Sequence, residues 1–150
     1  MDIIAILKNH VLIIALTAWI LAQILKIPLD YLISRKWDWG AVLSSGGMPS
    51  SHSALVTAAT ASIGLYEGFD TPLFGLAIAI TMIVTYDAAG VRRQAGMHAQ
   101  KINTLMKELF SGHSVSEKDL REVLGHTPLE VAGGIVLGIL VALLFWFFWK

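Results

Sequence analysis

The chain has 150 residues, of which 55% are hydrophobic and only 15% charged, against about 25% charged in a typical soluble domain. Its mean hydropathy is +0.67 and its formal net charge is zero, so no global field favours nucleic acid. It contains no Cys, which excludes disulfides, thiolate metal sites and cysteine nucleophiles.

Val11 to Leu25 is apolar except for Thr17 and Gln23, and lies between Lys8 and Lys26. With its flanks it approaches the roughly 20 residues that cross a bilayer. It is too long for a clear secretory signal, and no small-residue cleavage site precedes Lys26, so it reads as a spanning helix. Gln23 is expected to bond across helices. The first connection, residues 26–50, carries Lys26, Arg35 and Lys36, with Trp37 and Trp39 as interfacial anchors.

Ser51 to Tyr66 is rich in Ala, Ser and Thr, as expected of a membrane helix packed among other helices. The connection after it, residues 67–71, carries Glu67 and Asp70 and no cation. Pro72 to Tyr86 is uncharged and forms a third span. The long connection over 92–128 holds Arg92, Arg93, Lys101, Lys107, Lys118 and Arg121. Within it, His98 to Phe110 puts Ile102, Leu105, Met106 and Leu109 on one face. Ser114 and Glu117 form a capping-box pattern ahead of Leu120, Val123 and Leu124, with Gly125 as a stop. Both stretches read as short amphipathic helices on the membrane surface or on the protein itself.

Leu129 to Trp149 has one charge, Glu130, and ends in the aromatic run Trp146 to Trp149. The expected fold is all-α: a polytopic membrane helix bundle of about four transmembrane helices plus short amphipathic cytoplasmic helices, in one domain over residues 1–150. The cations place the first and third connections in the cytoplasm and both termini outside. Four spans bury little protein surface, so a homodimer is expected.

Gly46-Gly47-Met48-Pro49-Ser50-Ser51-His52-Ser53 combines glycines that allow close backbone approach with the opening of a helix. A helix N-terminus offers unpaired N–H groups to an anion. Ser50 and Ser51 add hydroxyl donors, and His52 adds a group that titrates near neutral pH. The same residues also read as an ordinary N-cap. That reading leaves His52 in need of a polar partner at membrane depth.

In Gly125-His126-Thr127-Pro128-Leu129-Glu130, His126 and Glu130 are four apart. If helical geometry reaches back to His126, the carboxylate can orient the imidazole and stabilise its cation. Alternatively Thr127 to Glu130 is a capping box with Pro at the first helical position, and Glu130 simply caps. Both motifs start a membrane helix on the same expected side, amid most of the cations. Two histidines, a carboxylate and a basic cluster suit phosphoryl transfer through a phosphohistidine. A zinc site built from His52, His126 and Glu130 fits by ligand type, but the serines and cations favour phosphate.

These residues resemble the type-2 phosphatidic acid phosphatase superfamily, which is related to the vanadium-dependent haloperoxidases. The similarity is greatest to its divergent small bacterial and plastid branch. It extends over Gln23 to Pro28, Arg35 to Trp39, Gly46 to Ala54, Asp87 to Arg93 and Gly125 to Val131. The resemblance implies a nucleophile at His126, oriented by Glu130, and a general acid at His52. It implies phosphate-binding roles for Ser50, Ser51, Lys26, Arg35, Arg92 and Arg93. No metal and no cofactor would be needed.

The chain departs from the superfamily in several places. Eight residues rather than six separate Lys26 from Arg35, no Pro follows Arg35, and Glu130 stands where Asp is usual. Four spans replace the commoner six. The expected activity is hydrolysis of a membrane lipid phosphate: phosphatidic acid, phosphatidylglycerophosphate or a polyprenyl (pyro)phosphate. The pocket would face the cytoplasm from a bacterial inner or plasma membrane. The rival expectation is a non-catalytic membrane protein that binds or transports a phosphorylated lipid. Asp87 is expected to pair with Lys26, Arg92 or Arg93, or to position one of them. His98 is expected at the surface, and His10 and His113 carry no signal.

Overall fold

The computed structural model describes residues 6, 8–35, 46–109 and 126–149. Among them it is all-helical. Helix α1 spans His10–Ser34, α2 Ser51–Glu67, α3 Pro72–Ala89, α4 Val91–Leu109 and α5 Pro128–Phe148. Asn9, Ser50, Thr71 and Thr127 cap the N-termini of α1, α2, α3 and α5 through their side chains. Each accepts a backbone N–H that would otherwise be orphaned. Pro72 and Pro128 occupy the first helical turn, where the missing N–H costs nothing.

Three helical segments are long and apolar enough to cross a membrane: His10–Leu32, Pro72–Ala89 and Pro128–Phe148. Their outward side chains include Leu16, Ile20, Ile24, Leu76, Ile80, Ile83, Leu140 and Leu144, all exposed. A continuous apolar exterior of this kind belongs in lipid. The chain is an integral membrane protein. Helix α2 has 17 residues and is less greasy, and it sits in the middle against α1, α3 and α5. Its buried face carries Ser53, Ala54, Thr57, Ala58, Thr60, Ser62 and Gly64.

The core is built mostly from small residues. Ile14, Ala18 and Ala22 of α1 meet Ala54 and Ala58 of α2 and Val141 and Ala142 of α5. Without a hydrophobic drive between helices in lipid, such surfaces associate by letting backbones approach closely. Gly134 and Gly138 of α5 show how closely. A Cβ at Gly134 would run into the Ser50 carbonyl oxygen, and one at Gly138 would lie 2.7 Å from the Ala54 oxygen and 2.9 Å from the Ala58 nitrogen. The hydroxyls of Thr60 and Thr81 lie 2.7 Å apart and tie α2 to α3. Each also reaches a carbonyl of the facing helix, Ala77 at 3.1 Å and Val56 at 3.2 Å.

These contacts fix the directions. The N-termini of α2 and α5 are joined by the Ser50 N–H, which donates to the Glu130 carbonyl at 2.9 Å. Their C-terminal ends meet where Tyr66 Oη donates to the Trp149 carbonyl at 3.3 Å. So α2 and α5 run parallel. Helix α1 runs against them: its first residue, His10, stacks on Tyr66 and packs edge-on against Trp149. Helix α3 also opposes α2. The C-terminal ends of α1 and α3 and the N-terminal ends of α2 and α5 therefore share one end of the bundle.

Two expectations are corrected. The first span does not stop at Leu25; α1 continues to Ser34 through Pro28, because the apolar pattern of Ile27, Leu29 and Leu32 carries the helix on. Lys26 is thus a helix residue and no part of a connecting loop. The amphipathic helix expected from His98 begins earlier, at Val91, with only Gly90 between it and α3. Its stripe of Ile102, Leu105, Met106 and Leu109 is exposed, as is His98. The second amphipathic helix, from Ser114, lies outside the described residues, as do Lys36, Trp37, Trp39 and His113.

Candidate active site

The Gly46–Ser53 motif turns into α2 through a glycine at φ +87°, Gly47, a backbone region where a Cβ is costly. The Met48–Pro49 peptide bond is cis. Ser50 is the N-cap and is fully buried. Its Oγ accepts from the Ser53 N–H at 3.4 Å and from Ser53 Oγ at 3.1 Å. Ser51 is buried on the first turn. The capping reading of this motif is therefore correct. It coexists with a second consequence, since the same turn carries His52 to the end of the bundle where α5 begins.

The second motif resolves in the same double way. Helix α5 starts at Pro128, so helical geometry does not reach His126. Thr127 and Glu130 form a complete capping box, with the Glu130 N–H donating to Thr127 Oγ1 at 3.3 Å and the Thr127 N–H to Glu130 Oε2 at 3.2 Å. The same Oε2 lies 2.9 Å from His126 Nδ1. Glu130 thus caps and orients at once. A carboxylate only accepts, so Nδ1 carries a proton, and in the neutral ring Nε2 then presents its lone pair. His126 is 2% exposed, and its Nε2 is buried without a hydrogen-bond partner.

The His52 and His126 ring centroids are 6.3 Å apart. A tetrahedral oxyanion within about 3 Å of each ring fits that separation. Lys26 is 1% exposed. Its stem passes 4.0 Å from where a Cβ on Gly47 would stand, and its charge and that of Glu130 attract. The N-termini of two membrane helices add their positive dipole ends. An orphaned imidazole nitrogen, a second imidazole, a buried lysine and two helix starts lie together at one end of the bundle. Together they can bind an anion and offer it a nucleophile and a proton.

The structure brings together His52, His126, Glu130, Ser50, Ser51 and Lys26. Arg35 is elsewhere: it is the exposed C-cap of α1, nine residues beyond Lys26, or about 13 Å along the axis. Arg92 and Arg93 stand in the first turn of α4, at the same end of the bundle, but their side chains lie outside the described residues. Asp87 and His52 line a common cavity of about 250 Å³, together with Ile83, Val84 and Ala88. A roomier cavity of about 650 Å³ opens beside His10 and Tyr66 at the opposite end, away from both motifs. Among the described residues, no three His, Asp or Glu side chains gather closely enough to hold a metal ion.

Sequence reasoning missed Gly134 and Gly138, which dock α5 on α2 and so set the distance between the two histidines. Small residues four apart in an apolar helix were the available signal.

Residues 7–141 match the Divergent PAP2 family. The chain is 40% identical over 154 aligned residues to "Uncharacterized membrane protein YuiD" of Bacillus subtilis (strain 168), a match covering 95% of this chain and 98% of that protein. No solved structure matches it.

Proposed function

The chain belongs to the divergent PAP2 family, and from that premise we propose that it is a membrane phosphatase that hydrolyses a lipid phosphate through a phosphohistidine at His126. The observation that carries this reading is the state of the His126 ring. Its Nδ1 is held by Glu130 at 2.9 Å, while its Nε2 is buried and unpartnered beside a second histidine. A buried polar atom left without a partner is costly. A site that binds phosphate alone has no use for an unpartnered ring nitrogen.

The reaction runs in two steps. His126 Nε2 attacks phosphorus, the bond from phosphorus to the lipid oxygen breaks, and protonated His52 gives its proton to the leaving oxygen. Nδ1 keeps its proton, so the phosphorylated ring is a cation, which the Glu130 carboxylate stabilises. Water then attacks phosphorus while giving a proton to His52. The P–N bond breaks, its electron pair returns to Nε2, and inorganic phosphate leaves. Lys26, with the N–H groups opening α2, neutralises the transferring group. Arg92 and Arg93, which follow α3 at that end, are the proposed further cations. Because Arg92, Arg93, Lys101 and Lys107 cluster beyond α3, the pocket faces the cytoplasm.

The test is phosphate release by purified protein from phosphatidic acid, phosphatidylglycerophosphate and polyprenyl phosphates in mixed micelles. Release that disappears in His126→Ala and His52→Ala supports the reading. Release unchanged in His126→Ala removes the nucleophile.

A further inference from the structure

The cavity beside His52 has a direction. Its wall is one strip of α3: Ile83, Val84, Asp87 and Ala88. Ala88 is 4% exposed and lies inside the bundle, whereas Ile83 is 69% exposed on the outer surface. Helix α3 is a membrane span, so the surface at Ile83 faces hydrocarbon. The cavity therefore runs from the His52 imidazole, between α2 and α3, out to the lipid. His126 is not among its lining residues; it contacts His52 from the α5 side.

In the proposed reaction the nucleophile and the leaving oxygen lie on opposite sides of phosphorus, and His52 touches the leaving oxygen. The space beyond His52 is then where the rest of the alcohol must go. Among the described residues, three of the five that line it are aliphatic. A volume of about 250 Å³ holds a few carbon units and no polar headgroup with its hydration shell. Burying a hydrated polar group against Ile83, Val84 and Ala88 would cost several kcal/mol.

We propose that the α2–α3 cavity is the portal for the substrate's hydrocarbon, and that the substrate is the phosphate ester of a long-chain, membrane-resident alcohol whose apolar carbons begin next to the ester oxygen. This rests on the phosphatase reading. It selects, among lipid phosphates, those without a polar bridge between phosphate and chain.

The experiment compares hydrolysis of a polyprenyl phosphate in micelles with hydrolysis of the short, soluble p-nitrophenyl phosphate. The variants are Val84→Trp, which fills the cavity, and Ile83→Trp, which crowds its outer mouth at an exposed position that tolerates the larger side chain. Both should lower the ratio of long-chain to short-ester turnover by about tenfold or more. Leu76→Trp, on an exposed part of α3 outside the cavity, should leave that ratio unchanged. A ratio unchanged in Val84→Trp and Ile83→Trp overturns the portal while leaving the phosphatase intact. A wild-type protein inactive on both esters overturns the phosphatase, and the portal with it. Faster hydrolysis of phosphatidylglycerophosphate than of polyprenyl phosphate also overturns the portal, because its leaving group is polar.

Discussion

The His126 imidazole and the Glu130 carboxylate meet at 2.9 Å across a helix cap, with Thr127 as the N-cap residue between them. One carboxylate oxygen serves both the Thr127 N–H and the histidine. Fold and chemistry therefore share a single atom, and substitutions can separate the two tasks.

Glu130→Gln keeps a group that can accept from the Thr127 N–H but removes the charge that stabilises a cationic His126. Its kcat on a lipid phosphate should fall by roughly 10³–10⁴-fold, with a small change in thermal stability. Thr127→Ala removes only the cap and should cost about 1 kcal/mol of stability while retaining most turnover per folded molecule. Equal kinetic losses in the two variants would show that Glu130 does no more than cap.

Lys26 is buried with Glu130 as an electrostatic partner. Removing one member of a partly buried pair leaves the other less well compensated. Lys26→Met should therefore destabilise the protein in detergent, and Lys26→Met with Glu130→Gln should recover part of the loss. The coupling expected from the double-mutant cycle is about 1–3 kcal/mol. Additive losses would mean the two groups do not interact.

Gly134 allows the Ser50 backbone to touch α5. Gly134→Ala should separate the helices, cost about 1–3 kcal/mol and reduce turnover by moving His52 away from His126. Gly75→Ala meets nothing within 4 Å and should be neutral or stabilising by up to about 1 kcal/mol. Thermal unfolding of both variants in detergent, with their activities, checks the contrast.

Tyr66, Trp149 and His10 meet at the end of the bundle opposite the motifs. Impermeant labelling of single cysteines should place residue 69 and the C-terminus on one side of the membrane. Residue 46 should label from the other side, which the proposed orientation makes the cytoplasmic one. Labelling of residues 69 and 46 from the same side would break the bundle's topology.

The sequence pattern made the helices and both motifs legible, because apolar runs, caps and prolines are local signals. It left the alternatives at Ser50 and Glu130 open, and the structure shows why: each residue caps a helix and also lies where the two motifs meet. The length of α1 was not legible, since Pro28 and Lys26 both look like a boundary. Lys26 is accommodated because it turns inward beside Gly47 and Glu130. The docking of α5 on α2 was hidden for another reason. It depends on which face Gly134 and Gly138 present, and that is a tertiary fact. The clasp at His10 left no mark in the chain for the same reason, as its partners are Tyr66 and Trp149.

Covalent capture of the transferred phosphoryl group tests His126 most directly. Purified protein is mixed with a ³²P-labelled polyprenyl phosphate, quenched in alkali, in which phosphohistidine survives, and its labelled peptide identified. Phosphotransfer through His126 predicts label on the peptide containing that residue, lost on acid treatment and absent from His126→Ala. Steady release of phosphate with no label on His126, or label that persists in His126→Ala, would contradict it.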